Sequence, residues 1–197
     1  MAHHAGLPQS YAAKLTLSPK NTPGKTKHFK AFLAALKRKP PRKLDDLFHH
    51  LHQQAFEQID CLQCANCCKT TSPIFYDKDI ERLARHLRLR PAQVIEQYLK
   101  VDEEGDWVLK QSPCLFLSAD NHCSVYEARP TACREYPHTN RKRMHQILDL
   151  TFYNTLVCPA VADIIHSLKK ACYFTKISFN LFTSLVNKLK LITAGGF

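Results

Sequence analysis

Apolar positions along this chain fall into short helical stripes separated by polar or cysteine-bearing gaps. Phe29, Phe32, Leu33 and Leu36 recur at i, i+3, i+4 and i+7, which predicts a short amphipathic helix studded with lysines and stopped by Pro40-Pro41. A second helix is predicted from Lys43, with Leu44, Leu47, Phe48, Leu51, Phe56 and Ile59 on its apolar stripe. After a cysteine-rich gap, Asp77 or Asp79 can cap a helix whose inner face holds Ile80, Leu83, Ala84 and Leu87. Pro91 opens another helix, with Val94, Ile95 and Leu99 inward. The run from Asp102 to Asp106, with Gly105 inside it, reads as a turn, and Trp107-Val108-Leu109 as a short strand. Asp120-Asn121 marks a further turn. Met144, Ile147, Leu148, Leu150 and Phe152 predict a helix ending near Asn154, and Val161, Ile164, Ile165 and Leu168 predict the last one.

Charge divides the chain unevenly. Residues 1–43 carry ten of the 28 Lys and Arg residues and no acid, so the body is nearly neutral and the net charge of +11 belongs to an N-terminal arm. Residues 1–24, with Pro8, Pro19, Pro23 and Gly24 among polar neighbours, read as disordered. The division expected is therefore a basic, largely disordered arm over 1–42 that includes the short amphipathic helix, a cysteine-rich domain over 44–170, and an apolar C-terminal extension over 171–197. The arm could touch nucleic acid, anionic lipid or an acidic partner through its charge, but a solvated arm without a specific ligand is the simpler reading. The extension is broken by Lys176, Asn180, Lys188 and Lys190, so no transmembrane helix is expected; docking on the core is its simplest role, and binding to a membrane surface or a partner the alternative.

Chemistry concentrates in the cysteines. Cys61, Cys64, Cys67 and Cys68 stand within eight residues, and Cys114, Cys123, Cys133 and Cys158 follow within the next ninety. Thiolates are soft, strong metal ligands, and a C-x2-C step sets two sulfurs on one side of a short loop. Disulfides fit less well. Nine cysteines leave one over, there is no recognisable secretory signal, and a cytoplasmic compartment keeps thiols reduced. Three of the cysteines keep the spacing of a bacterial ferredoxin run, whose cluster is completed by a cysteine before a proline, the part Cys158-Pro159 could play here. A four-cysteine zinc site suits the same steps equally well. His49, His50 and His52 point in different directions around a helix, which favours surface or packing roles. His138 and His145 are weaker candidates to replace a thiolate. With ligands standing in for part of a core, the expected fold is mainly α: a small, irregular, metal-stapled domain with a short β hairpin at most.

The second half of the pattern is Pro113-Cys114-Leu115-Phe116-Leu117, then Cys123-Ser124-Val125-Tyr126-Glu127-Ala128-Arg129-Pro130, then Cys133-Arg134-Glu135-Tyr136-Pro137, and finally Cys158-Pro159. Together with the opening run these segments resemble the CxxCxxCC cysteine-cluster family, the YkgJ-type zinc- or iron-chelating domain, over roughly residues 44–170. Ala65 departs from it, since many members have glycine there. The resemblance implies Cys61, Cys64, Cys67, Cys68, Cys114, Cys123, Cys133 and Cys158 as candidate ligands. That is more than one four-thiolate site needs, so either two sites exist or some of these cysteines stand behind the ligands. For a single cubane cluster, Cys61, Cys64, Cys67 and Cys158 are the preferred set. Cys172 lies outside the pattern and reads as a buried or free thiol. Tyr126, Arg129, Arg134 and Tyr136 recur with the cysteines in the family pattern. They either offset thiolate charge, or pair with Glu127 and Glu135 and pack in the core.

The function expected is a cytoplasmic metal-binding protein that holds an iron–sulfur cluster, of the 4Fe-4S kind, or iron, in electron transfer or in support of a partner enzyme. The alternative is a structural zinc module that mediates protein or nucleic-acid interaction. No hydrolytic constellation stands out, Gly-rich nucleotide loops are absent from a chain with five glycines, and the body is too small for a radical-enzyme barrel.

Overall fold

The structure, a computed structural model, describes residues 25–172 together with Gln9 and Tyr11. The disorder expected over 1–24 lies outside the described residues apart from those two, as does the apolar extension beyond Cys172.

The architecture is mainly α, with two hydrophobic cores. The first core is helical. Helix α1 (Lys25–Arg38) turns Phe29, Leu33 and Leu36 inward, and α2 (Leu44–Gln58) adds Leu44, Phe48, Leu51 and Ala55, spaced four, three and four residues apart on one helical face. Helix α1 therefore packs into the body. Its Lys37 pairs with Asp149, and Lys30 sits over the Phe152 ring, 5.2 Å from the centroid, so two of its exposed lysines make surface contacts with the body. Tyr11 is buried in the same core, and its hydroxyl accepts the Asp60 N–H at 2.9 Å.

Two short helices follow, α3 (Cys61–Cys64) and α4 (Asn66–Thr70), and then strand β1 (Ile74–Phe75). Helix α5 (Asp77–Leu87) begins after Tyr76 at the N-cap position, and of the two expected caps it is Asp79 that acts: from inside the first turn its carboxylate accepts the Tyr76 N–H at 3.2 Å, as in a capping box. Helix α6 (Pro91–Tyr98) ends one residue earlier than its apolar spacing predicts. Leu99 is buried, but it opens strand β2 (Leu99–Val101), because pairing with Leu109 of β3 (Trp107–Leu109) takes its backbone out of the helix. In the turn between the strands, the Asp102 carboxylate accepts the N–H groups of Glu104 and Asp106, and Gly105 adopts φ 89, the left-handed region that favours glycine. β1 pairs on the other side of β3, giving an antiparallel three-stranded sheet of order β1-β3-β2, one short strand more than the hairpin expected. This sheet, α5 and α6 enclose the second core of Phe75, Ile80, Leu83, Val94, Leu99, Leu109, Phe116 and Val125.

The chain then passes through the 3₁₀ turn Tyr126–Ala128, helix α7 (Thr131–Glu135) and the 3₁₀ turn Met144–Ile147. It returns to the first core with α8 (Leu148–Asn154) and the helix over residues 159–172, α9. Val161, Ile164, Ile165 and Leu168 of α9 are all buried there, as their spacing predicts. Among the described residues no helix is long and apolar enough to cross a membrane.

Asp79 ties α5 to the cysteine-bearing segments that follow. Its buried carboxylate pairs with Arg82 and accepts from the Thr131 N–H at 3.0 Å and hydroxyl at 2.9 Å, while Arg82 donates to the Arg129 carbonyl at 2.6 Å. Burial alone would raise the Asp79 pKa, but Arg82 and the Thr131 and Tyr76 donors outweigh it and hold the carboxyl below its ordinary value of 3.8. Its contribution to stability is thus present above that value and lost as pH falls through the lower folded value. Asp79→Ala removes one partner of a buried pair and is expected to cost about 3 kcal/mol, near the low end for such pairs because Arg82 is a quarter exposed. Denaturant unfolding of the full chain at neutral pH, compared with Asp79→Asn, measures it; a loss under about 1 kcal/mol contradicts this role for Asp79.

Candidate metal centre

The cysteine run is shaped by one left-handed residue. Asp60 caps α3 by accepting the Leu62 N–H at 2.8 Å, and Cys61 and Cys64 fall one turn apart on the same helical face. Ala65 then takes φ 45, ψ 18, which breaks the helix and re-aims the chain into α4 with Asn66, Cys67 and Cys68. A left-handed conformation costs an L-residue with a Cβ roughly 1–2 kcal/mol, which supplies a physical reason for glycine at this position. Cys67 and Cys68 are consecutive on α4, so their side chains leave the axis about 100° apart. Their sulfurs nonetheless stay 4.0 Å apart.

Three contacts bind this run to distant cysteines. Asn66 is buried, and its side-chain amide donates to the Val157 carbonyl at 2.6 Å, holding the residue before Cys158 against the residue before Cys67. The Cys114 N–H donates to the Cys68 carbonyl at 2.8 Å. Cys123 is brought back beside the Cys114 segment by the antiparallel bridge Leu117–Cys123 and by the Ser124 N–H donating to the Phe116 carbonyl. Each core holds its own thiols: Cys64 is part of the first and Cys158 packs against it, whereas Cys114 and Cys123 pack against the second.

The electrostatics follow the same division. Burial pushes the Cys158 thiol up to about 12, and charge on Cys61 and Cys64 adds to the push. Burial likewise pushes Cys133 up to about 12, reinforced by Cys68, Cys114 and Cys123 and opposed by Arg129. Cys67 and Cys68 share a hydrogen bond that draws Cys68 down to about 7 and drives Cys67 far up. Charge on Cys68 also reaches Cys61 and Cys64, so the seam between the two sets is not insulating. Backbone amides meet four of the sulfurs in a common way. The N–H two residues on, from Asn66, Phe116, Val125 and Ala160, points to Cys64, Cys114, Cys123 and Cys158 respectively. Such amides favour the thiolate over the thiol.

Of the four accompanying residues, two lie beside the thiols. Tyr136 is half-buried, its hydroxyl buried and unpartnered, and after burial itself the charges that most raise its pKa are those of Cys158, Cys67, Cys64 and Cys61. Arg129 opposes the rise at Cys61, Cys123 and Cys133 and helps lower Cys68; its guanidinium stacks 3.4 Å from the Tyr126 ring centroid and donates to the Tyr126 carbonyl at 2.7 Å. Tyr126 is thus Arg129's platform, itself half exposed, and Arg134 donates to the Glu127 carbonyl at 2.6 Å. The histidines are engaged in packing. His49 bonds the Arg141 carbonyl, His52 bonds the buried Thr139 hydroxyl and packs on Phe56, and His138 lies beside Glu135, with burial lowering its pKa. Cys172 packs against the first core. Asn66 went unnoticed in the sequence, where a lone Asn between cysteines carries no distinguishing signal, and Asp79 was read only as a helix cap, since nothing local shows its long-range bonds to Thr131.

Among the described residues, no three His, Cys, Asp or Glu side chains stand close enough to chelate one metal ion as placed. The donor chemistry fits a metal even so: reduced thiols, two of them with sulfurs 4.0 Å apart, backbone amides toward four sulfurs, and the buried Tyr136 hydroxyl without a partner. Closing either set around a metal requires the thiols to draw inward from these positions.

The comparisons bear on this site. A family model for CxxCxxCC, described as "Putative zinc- or iron-chelating domain", matches residues 60–158, half of the chain. Comparison with curated proteins and with solved structures gave no match.

Two substitutions test how the run is held. Ala65→Gly removes the left-handed penalty and is expected to raise unfolding free energy by up to about 1 kcal/mol, whereas Ala65→Val lowers it by roughly 1–3 kcal/mol, both read by denaturant titration. Asn66→Ala strands the Val157 carbonyl and is expected to cost roughly 1–3 kcal/mol and to weaken metal retention in a chelator competition; unaltered retention contradicts the tie between the two segments.

Proposed function

We propose that this chain, which belongs to the CxxCxxCC family, is a metal-binding protein that holds an iron–sulfur cluster of the 4Fe-4S kind on Cys61, Cys64, Cys67 and Cys158, and that it transfers electrons or supports a partner enzyme. The observation that carries this reading is the hydrogen bond from Asn66 to the Val157 carbonyl, by which the fold brings the Cys158 segment back to the CxxCxxCC run from ninety residues away. When bound, such a cluster supplies one-electron chemistry.

The chain's own residues account for how the site is kept. The thiolates of the set gather negative charge in a place that is only partly open to water, with Cys61 exposed, Cys67 and Cys158 half-buried and Cys64 buried, and such charge is unfavourable without compensation. Amides from Asn66, Ala160 and Val161 offset it at Cys64 and Cys158, and Arg129 offsets it at Cys61. The Tyr136 hydroxyl has no partner as placed and is free to donate to a sulfur once the thiols draw inward; hydrogen bonds of that kind set reduction potential. Reduced thiols of this number suit a cytoplasmic location, which is part of the proposal.

A second reading, a structural zinc module that binds a protein partner, is favoured by the cysteines lying between two small hydrophobic cores. Metal there would supply folding free energy on the order of ten kcal/mol, as in small zinc domains. A nucleic-acid role for residues 1–43 is weaker, because Lys30 and Lys37 of α1 are already engaged with the body.

Anaerobic purification of the full chain, with a visible spectrum and with iron, zinc and sulfide quantified on the same sample, separates these readings. The cluster reading expects a broad thiolate–iron absorption at about 400 nm and iron matching sulfide. Zinc without colour or sulfide, persisting after anaerobic reconstitution with iron and sulfide, sinks it in favour of the zinc module.

A further inference from the structure

We infer that one face of the helical core, built from the turn between α1 and α2, the loop over 141–143 and the outer side of α8, binds the surface of an anionic membrane. None of the cysteines takes part, so this face is tested independently of the metal centre.

Two basic runs far apart in sequence meet here. Arg38, Lys39, Arg42 and Lys43 surround Pro40-Pro41 between α1 and α2, and all four are exposed. Arg141, Lys142 and Arg143, also exposed, precede the 3₁₀ turn Met144–Ile147. Asp45, in the first turn of α2, accepts the Arg143 N–H at 2.6 Å and the Met144 N–H at 2.9 Å, and His49 bonds the Arg141 carbonyl at 3.0 Å. The second run is thereby fastened to the start of α2, two residues beyond Lys43. Among the described residues none of these seven cations forms a salt bridge. The acids close by do little to balance them: Asp45 is engaged by backbone amides and Asp149 by Lys37, which leaves Asp46. Like charges held together repel one another, and an external anionic surface relieves that repulsion.

Charge alone suits any polyanion; the apolar groups among the cations favour a bilayer. Helix α8 follows directly from the second run, and its Leu150 and Tyr153, about one turn apart, are 44 % and 60 % exposed. They flank Asp149, whose partner Lys37 is next to Arg38. At a membrane surface a leucine enters the acyl boundary and a tyrosine sits at headgroup level, whereas a phosphodiester backbone gives the leucine nothing to bury against. The sequence that leaves this side of the fold has the same character. Residues 164–197 carry five lysines and no acid, and Phe174, Ile177, Leu181, Leu185, Leu189 and Ile192 recur at helical spacing. Helix α9 leads into that stretch beside α1 and α8: Lys169 Nζ lies 5.8 Å from the Phe29 ring centroid, Phe29 lies 6.2 Å from Phe152, and Phe152 lies 5.6 Å from Tyr153.

Co-sedimentation of the full chain with vesicles is the test, using phosphatidylcholine alone, phosphatidylcholine with roughly one third phosphatidylserine, and duplex DNA as the competing probe. The expected result is binding to the serine-containing vesicles only, weakened by salt, since each cation near such a surface contributes about a fivefold gain. Combining Arg141→Gln, Lys142→Gln and Arg143→Gln is expected to lose about a hundredfold in partitioning, with metal content unchanged. Leu150→Ser with Tyr153→Ser is expected to lose on the order of tenfold at unchanged charge. Equal binding to both vesicles, or binding that the triple variant retains in full, overturns the assignment. Binding to DNA without binding to vesicles also overturns it and gives the face to nucleic acid; binding to neither probe overturns it outright. Should a variant fail to fold, lysine acetylation of the wild type decides. Protection of Lys39, Lys43 and Lys142 by serine-containing vesicles, with the exposed Lys78 and Lys100 of the other core unprotected, supports the face, and uniform or absent protection contradicts it.

Discussion

Two neighbouring side chains on a helix leave its axis about 100° apart, and this constraint acts on Cys67 and Cys68 where the two halves of the fold meet. Cys64 and Cys158 lie with the helical core and Cys114 and Cys123 with the sheet-containing core, while Cys67 and Cys68, their sulfurs 4.0 Å apart, belong to neither. The remaining arrangement depends on keeping α4 at that seam. Ala65 sets its direction through a left-handed turn, Asn66 anchors it to Val157, and the Cys68 carbonyl receives Cys114. Long-range order in the cysteine region is therefore carried by a few polar contacts at fixed places, while apolar burial holds each core separately.

The seam is electrostatically expensive in the thiolate form. Burial raises most of the thiols, and each thiolate raises its neighbours further, so protons are held tightly until a cation compensates them. A bound metal supplies that compensation, which couples metal occupancy to the joining of the two cores. Arg129 and the four amides reduce the cost without cancelling it, an arrangement suited to a site that is stable when loaded and loose when empty.

Much of this was legible in the chain. Apolar spacing located α1, α2, α5 and α9, because each buries a stripe and the 3.6-residue period shows it. The Asp102–Asp106 turn and the strand at Trp107 followed from turn chemistry. Leu99 was misplaced, since a buried leucine after a helix looks the same whether it continues the helix or starts a strand; the pairing with Leu109 that decides it is non-local. The cysteine spacing was legible in the chain, but not which cysteine segments the fold ties together. Those ties are contacts such as Asn66–Val157, 91 residues apart, that no local pattern encodes. The same holds for Tyr126 and Tyr136. They look alike in sequence, yet one is an exposed platform for Arg129 and the other a buried hydroxyl facing thiols. Ala65 is the converse case: its left-handed backbone explains at once why glycine suits the position, and nothing in the structure explains the alanine.

The central claim is that cysteine thiolates alone hold the metal at the seam. X-ray absorption fine structure at the metal edge, on full-length protein purified without added metal, tests it most directly. The account predicts a ligand shell of sulfur only, at about 2.3 Å for zinc–thiolate bonds. A shell containing nitrogen or oxygen donors at about 2.0–2.2 Å would contradict it, and would direct attention to His138, His145 or a carboxylate as a ligand.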